Sequence, residues 1–225
     1  MHKRRALERS APFPIKVVTA VVAALFLVAA CGSSQTRDDS VVSGVTRSDH
    51  DGYAGIVLPK PYVVPSVSLT ATDDSSFSLT RNTEGKLTLV FFGYTQCPDV
   101  CQVVMGTVAS AYARLDRAEQ AQVQVVFVTT DPGRDTTKVL RSYLDRLNPG
   151  FIGLTGKIDD IDAAGKPMGV FIKKGAKLSS GGYEVSHTTE VIAVGRHGEA
   201  PLVWTATTSP AQMAGDIDKL LKKKV

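Results

Sequence analysis

The stretch Val90 to Cys101, "VFFGYTQCPDVC", places two cysteines four residues apart, where an apolar run gives way to a new periodicity. Two thiols at that spacing can cycle as a disulfide pair, clamp a soft metal ion, or sit in the core as neighbours. Positions four apart on a helix share a face, so the sulfurs of Cys97 and Cys101 can point the same way. A helix N-terminus favours negative charge and lowers a thiol pKa toward the thiolate, the form that attacks disulfides and binds metal. A disulfide is open to the pair, because Cα atoms one helical turn apart lie within the roughly 4.4–6.8 Å bridging range. It would close a very small loop and add little chain-entropy stabilisation, which argues against a purely structural staple.

Two thiolates alone make a poor metal site, so a third ligand is needed. The histidines are His2, His50, His187 and His197. His2 belongs to the basic N-terminus, His50 lies between two aspartates in a polar stretch, and His197 sits in a Gly-flanked turn that reads as a solvated tip. His187 directly precedes the run "TTEVIAV". Two soft thiolates and one imidazole suit copper, and Cu(I) in particular. Zinc accepts the same set with an open fourth position, so ligand chemistry leaves both metals open. Asp131 and Asp135 flank a turn and could do acid–base work. They read instead as groups that cap a helix and fix a loop, with Asp135 as the N-cap. Met105, in the cysteine helix, and Met168, beside a strand, read as packing residues.

These residues need elements to hold them. "KLTLVFFGY" (Lys86 to Tyr94) is a β-branched and aromatic run bounded by turn signals, a buried strand. Pro98 suits the first helical position. From there Val100, Val103, Val104, Val108, Ala111 and Leu115 trace one helical face to about Arg117. "VQVVFVTT" is the next buried strand. Val139, Leu140, Tyr143, Leu144 and Leu147 mark a second helix, stopped by Asn148-Pro149-Gly150. "FIGLTG" starts a short strand, and Ile158 to Lys166 a small helix. "GVFIKK" and "EVSHTTEVIAVG" each read as one strand, and "PLVWTATT" pairs with the latter across the Arg196 to Glu199 turn. Ala211 to Lys224 closes as an amphipathic helix. The order is that of a single α/β domain of the thioredoxin-like kind, a central mixed sheet with helices on both faces. Such sheets place ligands at the carboxyl ends of their strands, where Cys97 falls. In that arrangement the strand start at His187 faces the end of the cysteine helix.

The compartment follows from the N-terminus. Lys3, Arg4, Arg5, Arg9 and Lys16 precede an uncharged stretch, Val17 to Ala30, too short for the ~20 apolar residues of a membrane span. Basic flank, apolar run and small residues make an export signal over residues 1–30. Its end, Val28-Ala29-Ala30-Cys31-Gly32, resembles the lipobox of bacterial lipoproteins. That resemblance implies cleavage before Cys31, a lipid on its thiol, and residence at the outer face of the cell membrane. Removing five basic residues and one acid from 26 Lys+Arg and 22 Asp+Glu leaves 21 of each. The basic pI therefore belongs to the export signal, and nucleic-acid binding is excluded as a class. Residues 31–60 are polar and aperiodic and read as a tether with a reach of ~30 Å. Residues 61–225 form the domain, whose cysteine pair lies in a potentially oxidising setting.

"FFGYTQCPDVC", "TTDPGRDTTKVLRSYL", "FIGLTG" and "VSHTTEVIAV" together resemble the Sco/SenC family of copper-binding, thioredoxin-like proteins, from about Pro65 to the C-terminus. The resemblance implies Cu(I) and Cu(II) binding through Cys97, Cys101 and His187. It also implies a metallochaperone role, with a copper donor, in building the binuclear copper centre of cytochrome c oxidase subunit II. There the pair would deliver copper or reduce the subunit's cysteines. Gln96 and Gln102 stand where the family usually has His and Pro, and Ser186 where an Asp commonly precedes the histidine. The alternative class is an enzyme, a thiol–disulfide oxidoreductase that uses Cys97 and Cys101 as a redox pair and has no need of His187.

Overall fold

The computed structural model describes residues 52–177, 183–223 and 225. The export signal, Cys31, His2, His50 and most of the tether lie outside the described residues.

Among the described residues, ten strands and five helices follow one another in the order β1 Ile56–Val63, β2 Ser68–Ala71, β3 Ser76–Ser78, β4 Leu87–Gly93, α1 Val100–Tyr112, α2 Arg117–Gln122, β5 Val123–Thr129, α3 Thr137–Asp145, β6 Ile152–Thr155, α4 Ile158–Gly165, β7 Ile172–Lys177, β8 Tyr183–His187, β9 Val191–Val194, β10 Glu199–Trp204 and α5 Pro210–Lys223. Eight strands form one sheet in the order β1-β10-β9-β4-β5-β6-β2-β3. The β4–β5 and β5–β6 pairings are parallel and the rest antiparallel, a mixed sheet. Strands β7 and β8 make a separate antiparallel hairpin.

Alternation decides which side chain enters which core. In β4, Leu87, Leu89 and Phe91 pack toward α1, α3 and α5, joining Val104, Met105, Leu140, Leu144 and Ile217. Val90 and Phe92 enter the opposite core with Ile161, Ala164 and Met168 from α4 and the turn after it. Helices thus cover both faces, as the sequence order implies. Burying each such side chain contributes about 1.5–3 kcal/mol, so the strand that delivers Cys97 is among the best anchored. Met105 and Met168 are buried in these two clusters, which confirms both as packing residues.

Several boundaries differ from the sequence reading. Strand β1 begins at Ile56, inside the stretch whose composition marks it as tether. It carries Pro59 and Pro61, and its register with β10 breaks between Val57 and Tyr62. Proline is tolerated there because β1 is a sheet edge. The run Glu184 to Gly195 is two strands rather than one, broken at Thr188 to Glu190, so His187 ends β8 in the hairpin and β9 alone joins the main sheet. Val103 is 59% exposed on the outer face of α1 and does not belong to its buried stripe. Helix α2 is absent from the sequence reading, although Asp116 and Glu119 form a complete capping box at its start.

Candidate metal centre

The parallel pair β4 and β5 ends at Gly93 and Thr129, and the chain leaving β4 carries both cysteines. Helix α1 starts at Val100 behind Asp99, its N-cap, whose side chain makes no capping bond. Pro98 therefore precedes the cap rather than opening the helix. Cys97 lies two residues before the cap, and Cys101 is the second helical residue. The Cys101 N–H, one of the donors a helix start leaves unpaired, donates to the Cys97 sulfur at 3.4 Å. The pair shares a direction because the turn folds back onto the helix start, not because both residues lie on one helical face.

His187 comes from the far side of the chain. Its Nδ1–H donates to the Thr188 carbonyl at 2.8 Å, which leaves the lone pair on Nε2. That nitrogen lies 3.3 Å from the Cys101 sulfur and accepts its S–H. Phe91 and Tyr94 hold the ring edge-on, with centroids 6.1 and 5.7 Å away. The two sulfurs and the imidazole nitrogen all lie within 4.8 Å of one another. Both cysteines are free thiols and buried. His197 is exposed in its turn, so of the two described histidines His187 is the one brought to the sulfurs.

Burial sets the electrostatics. It pushes the Cys101 thiol well above its ordinary value, and the neighbouring Cys97 side chain adds to the effect. At this sulfur, desolvation outweighs the helix N-terminus, contrary to the sequence expectation of a lowered thiol pKa. Burial also pulls His187 below the usual histidine range, against the Thr188 carbonyl, which raises it. The site at rest is thus a neutral imidazole facing a protonated thiol.

Around these three side chains, the Arg134 guanidinium lies 5.7 Å from the Tyr94 ring centroid, pairs with Asp131 and reaches Gln96 Oε1 at 3.4 Å. Asp131 thus fixes its loop as expected. Asp135 is not the N-cap of α3; Thr136 is, accepting from the Val139 N–H. Asp135 is instead fully buried and accepts from Thr95 and Thr129. The sequence reading also passed over Gly93. A Cβ there would lie 2.6 Å from Phe91 Cε1 and 3.3 Å from the Cys101 sulfur. A glycine ending an otherwise apolar strand is a signal for such close approach. Gly93→Ala is accordingly expected to lower stability by about 1–3 kcal/mol through overpacking. It should also weaken metal uptake, and denaturant unfolding beside a metal titration reads both.

Comparison with known proteins follows from this geometry. The family model described as SCO1/SenC matches residues 59–222. A Stutzerimonas stutzeri protein named for copper binding is 34% identical over 144 residues, 64% of this chain and 69% of that protein. The apo Sco1 solution structure from Thermus thermophilus superposes with a TM-score of 0.68 at 30% identity, covering 77% of this chain and 99% of that one. The copper-bound ScoI structure from Bradyrhizobium japonicum gives 0.64 at 26% identity, covering 70% and 99%. The chain spans from about a third to just over half of the mitochondrial relatives it also matches. Among the described residues, no helix is long and apolar enough to cross a membrane.

Proposed function

The chain belongs to the SCO1/SenC family, and from that premise we propose that it is a copper-binding assembly factor for cytochrome c oxidase. It holds one copper ion as cargo between Cys97, Cys101 and His187. The observation that carries this reading is the convergence of two sulfurs and one unprotonated imidazole nitrogen from separate segments within 4.8 Å. The donor set is soft and of low coordination number, which favours Cu(I), and the Bradyrhizobium relative holds copper. A family member 19% identical and alike in fold is a cytochrome c oxidase assembly protein.

The finer reading extends this. The acceptor is subunit II, whose binuclear centre the ion completes, and a separate donor supplies the ion. The signal over residues 1–30 exports the chain, and Cys31 carries the lipid that holds it at the outer face of the membrane. The sequence Val28 to Gly32 supports the anchor, and the 22% identical Bacillus anthracis neighbour is a lipoprotein of the same family.

The residues divide the work. Nε2 is already in its ligating form, because Nδ1–H is held by Thr188. The thiols must lose their protons to bind, and burial raises the cost at Cys101. Copper uptake therefore releases protons, and the affinity rises with pH across the neutral range. Titrating Cu(I) into the reduced full chain under argon, against a chromophoric competitor, should show one ion per chain. Binding should tighten from pH 6 to pH 8 and be lost in Cys97→Ser and Cys101→Ser. The rival reading, a disulfide oxidoreductase, predicts weak uptake unaffected by removal of His187, and turnover of protein disulfides instead. The convergence of His187 on the pair disfavours it, since disulfide exchange has no need of the imidazole.

A further inference from the structure

Each sulfur and nitrogen of the centre has to be held in place by something, and the three cases differ. Cys101 is fixed by helix α1 and its burial in the core. His187 is fixed by the Thr188 carbonyl and two aromatic rings. Cys97 lies in neither helix nor strand, but in a turn closed by its own N–H donating to the Tyr94 carbonyl at 3.2 Å. The Arg134 guanidinium reaches Gln96 in that turn at 3.4 Å, and the shorter ties are made by Thr95. Its N–H donates to Asp135 Oδ2 at 2.9 Å and its hydroxyl to Asp135 Oδ1 at 2.6 Å.

We infer that Asp135 is the positioning residue for the Cys97 sulfur, an inference that rests on the metal-site reading above. The carboxylate is fully buried on the loop between β5 and α3. Besides Thr95 it accepts the Thr129 hydroxyl at 2.7 Å, at the end of β5. Its backbone carbonyl accepts the Thr155 hydroxyl at 3.2 Å, at the end of β6. One residue therefore binds the turn after β4 to the carboxyl ends of the two parallel neighbours. All three side-chain bonds are donated to the carboxylate, the arrangement that compensates a buried anion. Packing alone does not call for such a group, because apolar residues of like volume often stabilise a core equally well. What the carboxylate adds is direction. It fixes both donors of Thr95, and through the turn it sets how far the Cys97 sulfur stands from Cys101 and His187.

The test uses the full chain with Asp135→Asn, Thr95→Val and Thr95→Ser. Asparagine presents an amide donor where only donors arrive. Valine removes the hydroxyl bond and keeps the N–H bond, so it carries the test if the asparagine protein does not fold. Serine keeps both bonds. Cu(I) competition should show affinity reduced about 10–100-fold in the first two and restored in the third, the usual span for groups that orient ligands. A metal-free readout runs beside it. Oxidation of the dithiol by glutathione disulfide gives the protein disulfide and two glutathione thiols, and a displaced Cys97 shifts that equilibrium toward the dithiol. Melting temperatures that fall in Asp135→Asn and Thr95→Val, with copper affinity and glutathione equilibrium both at parent values, would overturn the assignment. If the parent binds no copper, the metal reading fails on its own, and the glutathione equilibrium still decides whether Asp135 places Cys97.

Discussion

Replacing His187 with alanine should lower Cu(I) affinity by more than about 100-fold while the metal-free protein remains folded. Removing a group that merely orients a metal ligand typically costs 10–100-fold, so removing the ligand itself sets that range as a floor. The expectation follows from the direction of the ring: Nδ1 is committed to the Thr188 carbonyl and Nε2 faces the sulfurs. With the imidazole gone, two thiolates remain, and nothing else in the converging set supplies a nitrogen. The fold loses one S–H acceptor and two aromatic edge contacts, a loss of about 1–2 kcal/mol. Equal affinity in the parent and the variant would remove His187 from the site and leave a cysteine pair suited to disulfide exchange.

The largest expected effect on stability lies elsewhere. Asp216, on α5, is buried and accepts the N–H groups of Ala54 and Gly55 at 3.0 and 2.8 Å. It also accepts the indole N–H of the fully buried Trp204 at 3.0 Å. Gly55 approaches that indole so closely that a Cβ would lie 2.8 Å from Trp204 Cδ1. The aspartate thus fastens the chain entering the domain to the closing helix and the last strand. Asp216→Ala leaves these three N–H groups, and the Lys219 ammonium beside them, around a vacated site and should cost about 3–5 kcal/mol. For a domain of this size that is a melting temperature lower by roughly 6–20 °C. Copper affinity of the folded fraction should stay at the parent value, because Asp216 touches none of the three ligands. A metal-free variant melting within about 2 °C of the parent would contradict the clamp.

The parts of the molecule that could be read from sequence are those with local causes. The runs Leu87–Gly93 and Val123–Thr129 and the α3 stripe Leu140, Tyr143 and Leu144 carry their periodicity in consecutive residues, and each is an element in the structure. The convergence of Cys97, Cys101 and His187 could be anticipated because the cysteine pair is distinctive and His187 precedes a strand that faces it in a thioredoxin-like order. How the cysteines come together could not be. Their spacing of four suggested one helical face, whereas Asp99 caps the helix between them and the turn does the work. Strand β1 was hidden by Pro59 and Pro61, which count against a strand everywhere except at an edge. The break at Thr188 to Glu190 was hidden because its polar residues sit between two runs that each read as strand. The ties made by Asp135 to Thr95 and by Asp216 to Ala54 span 40 and 162 residues. No local pattern announces such contacts, and a buried aspartate in a turn looks in sequence like a cap.

The account stands most directly on what surrounds the bound ion. X-ray absorption at the copper edge of the reduced full chain, loaded with one equivalent of Cu(I), reports the donor atoms without reference to activity. The structure predicts two sulfur scatterers and one nitrogen per copper in the parent, with the nitrogen lost in His187→Ala. A spectrum with no sulfur contribution, or one unchanged by the histidine substitution, would contradict the three-ligand centre.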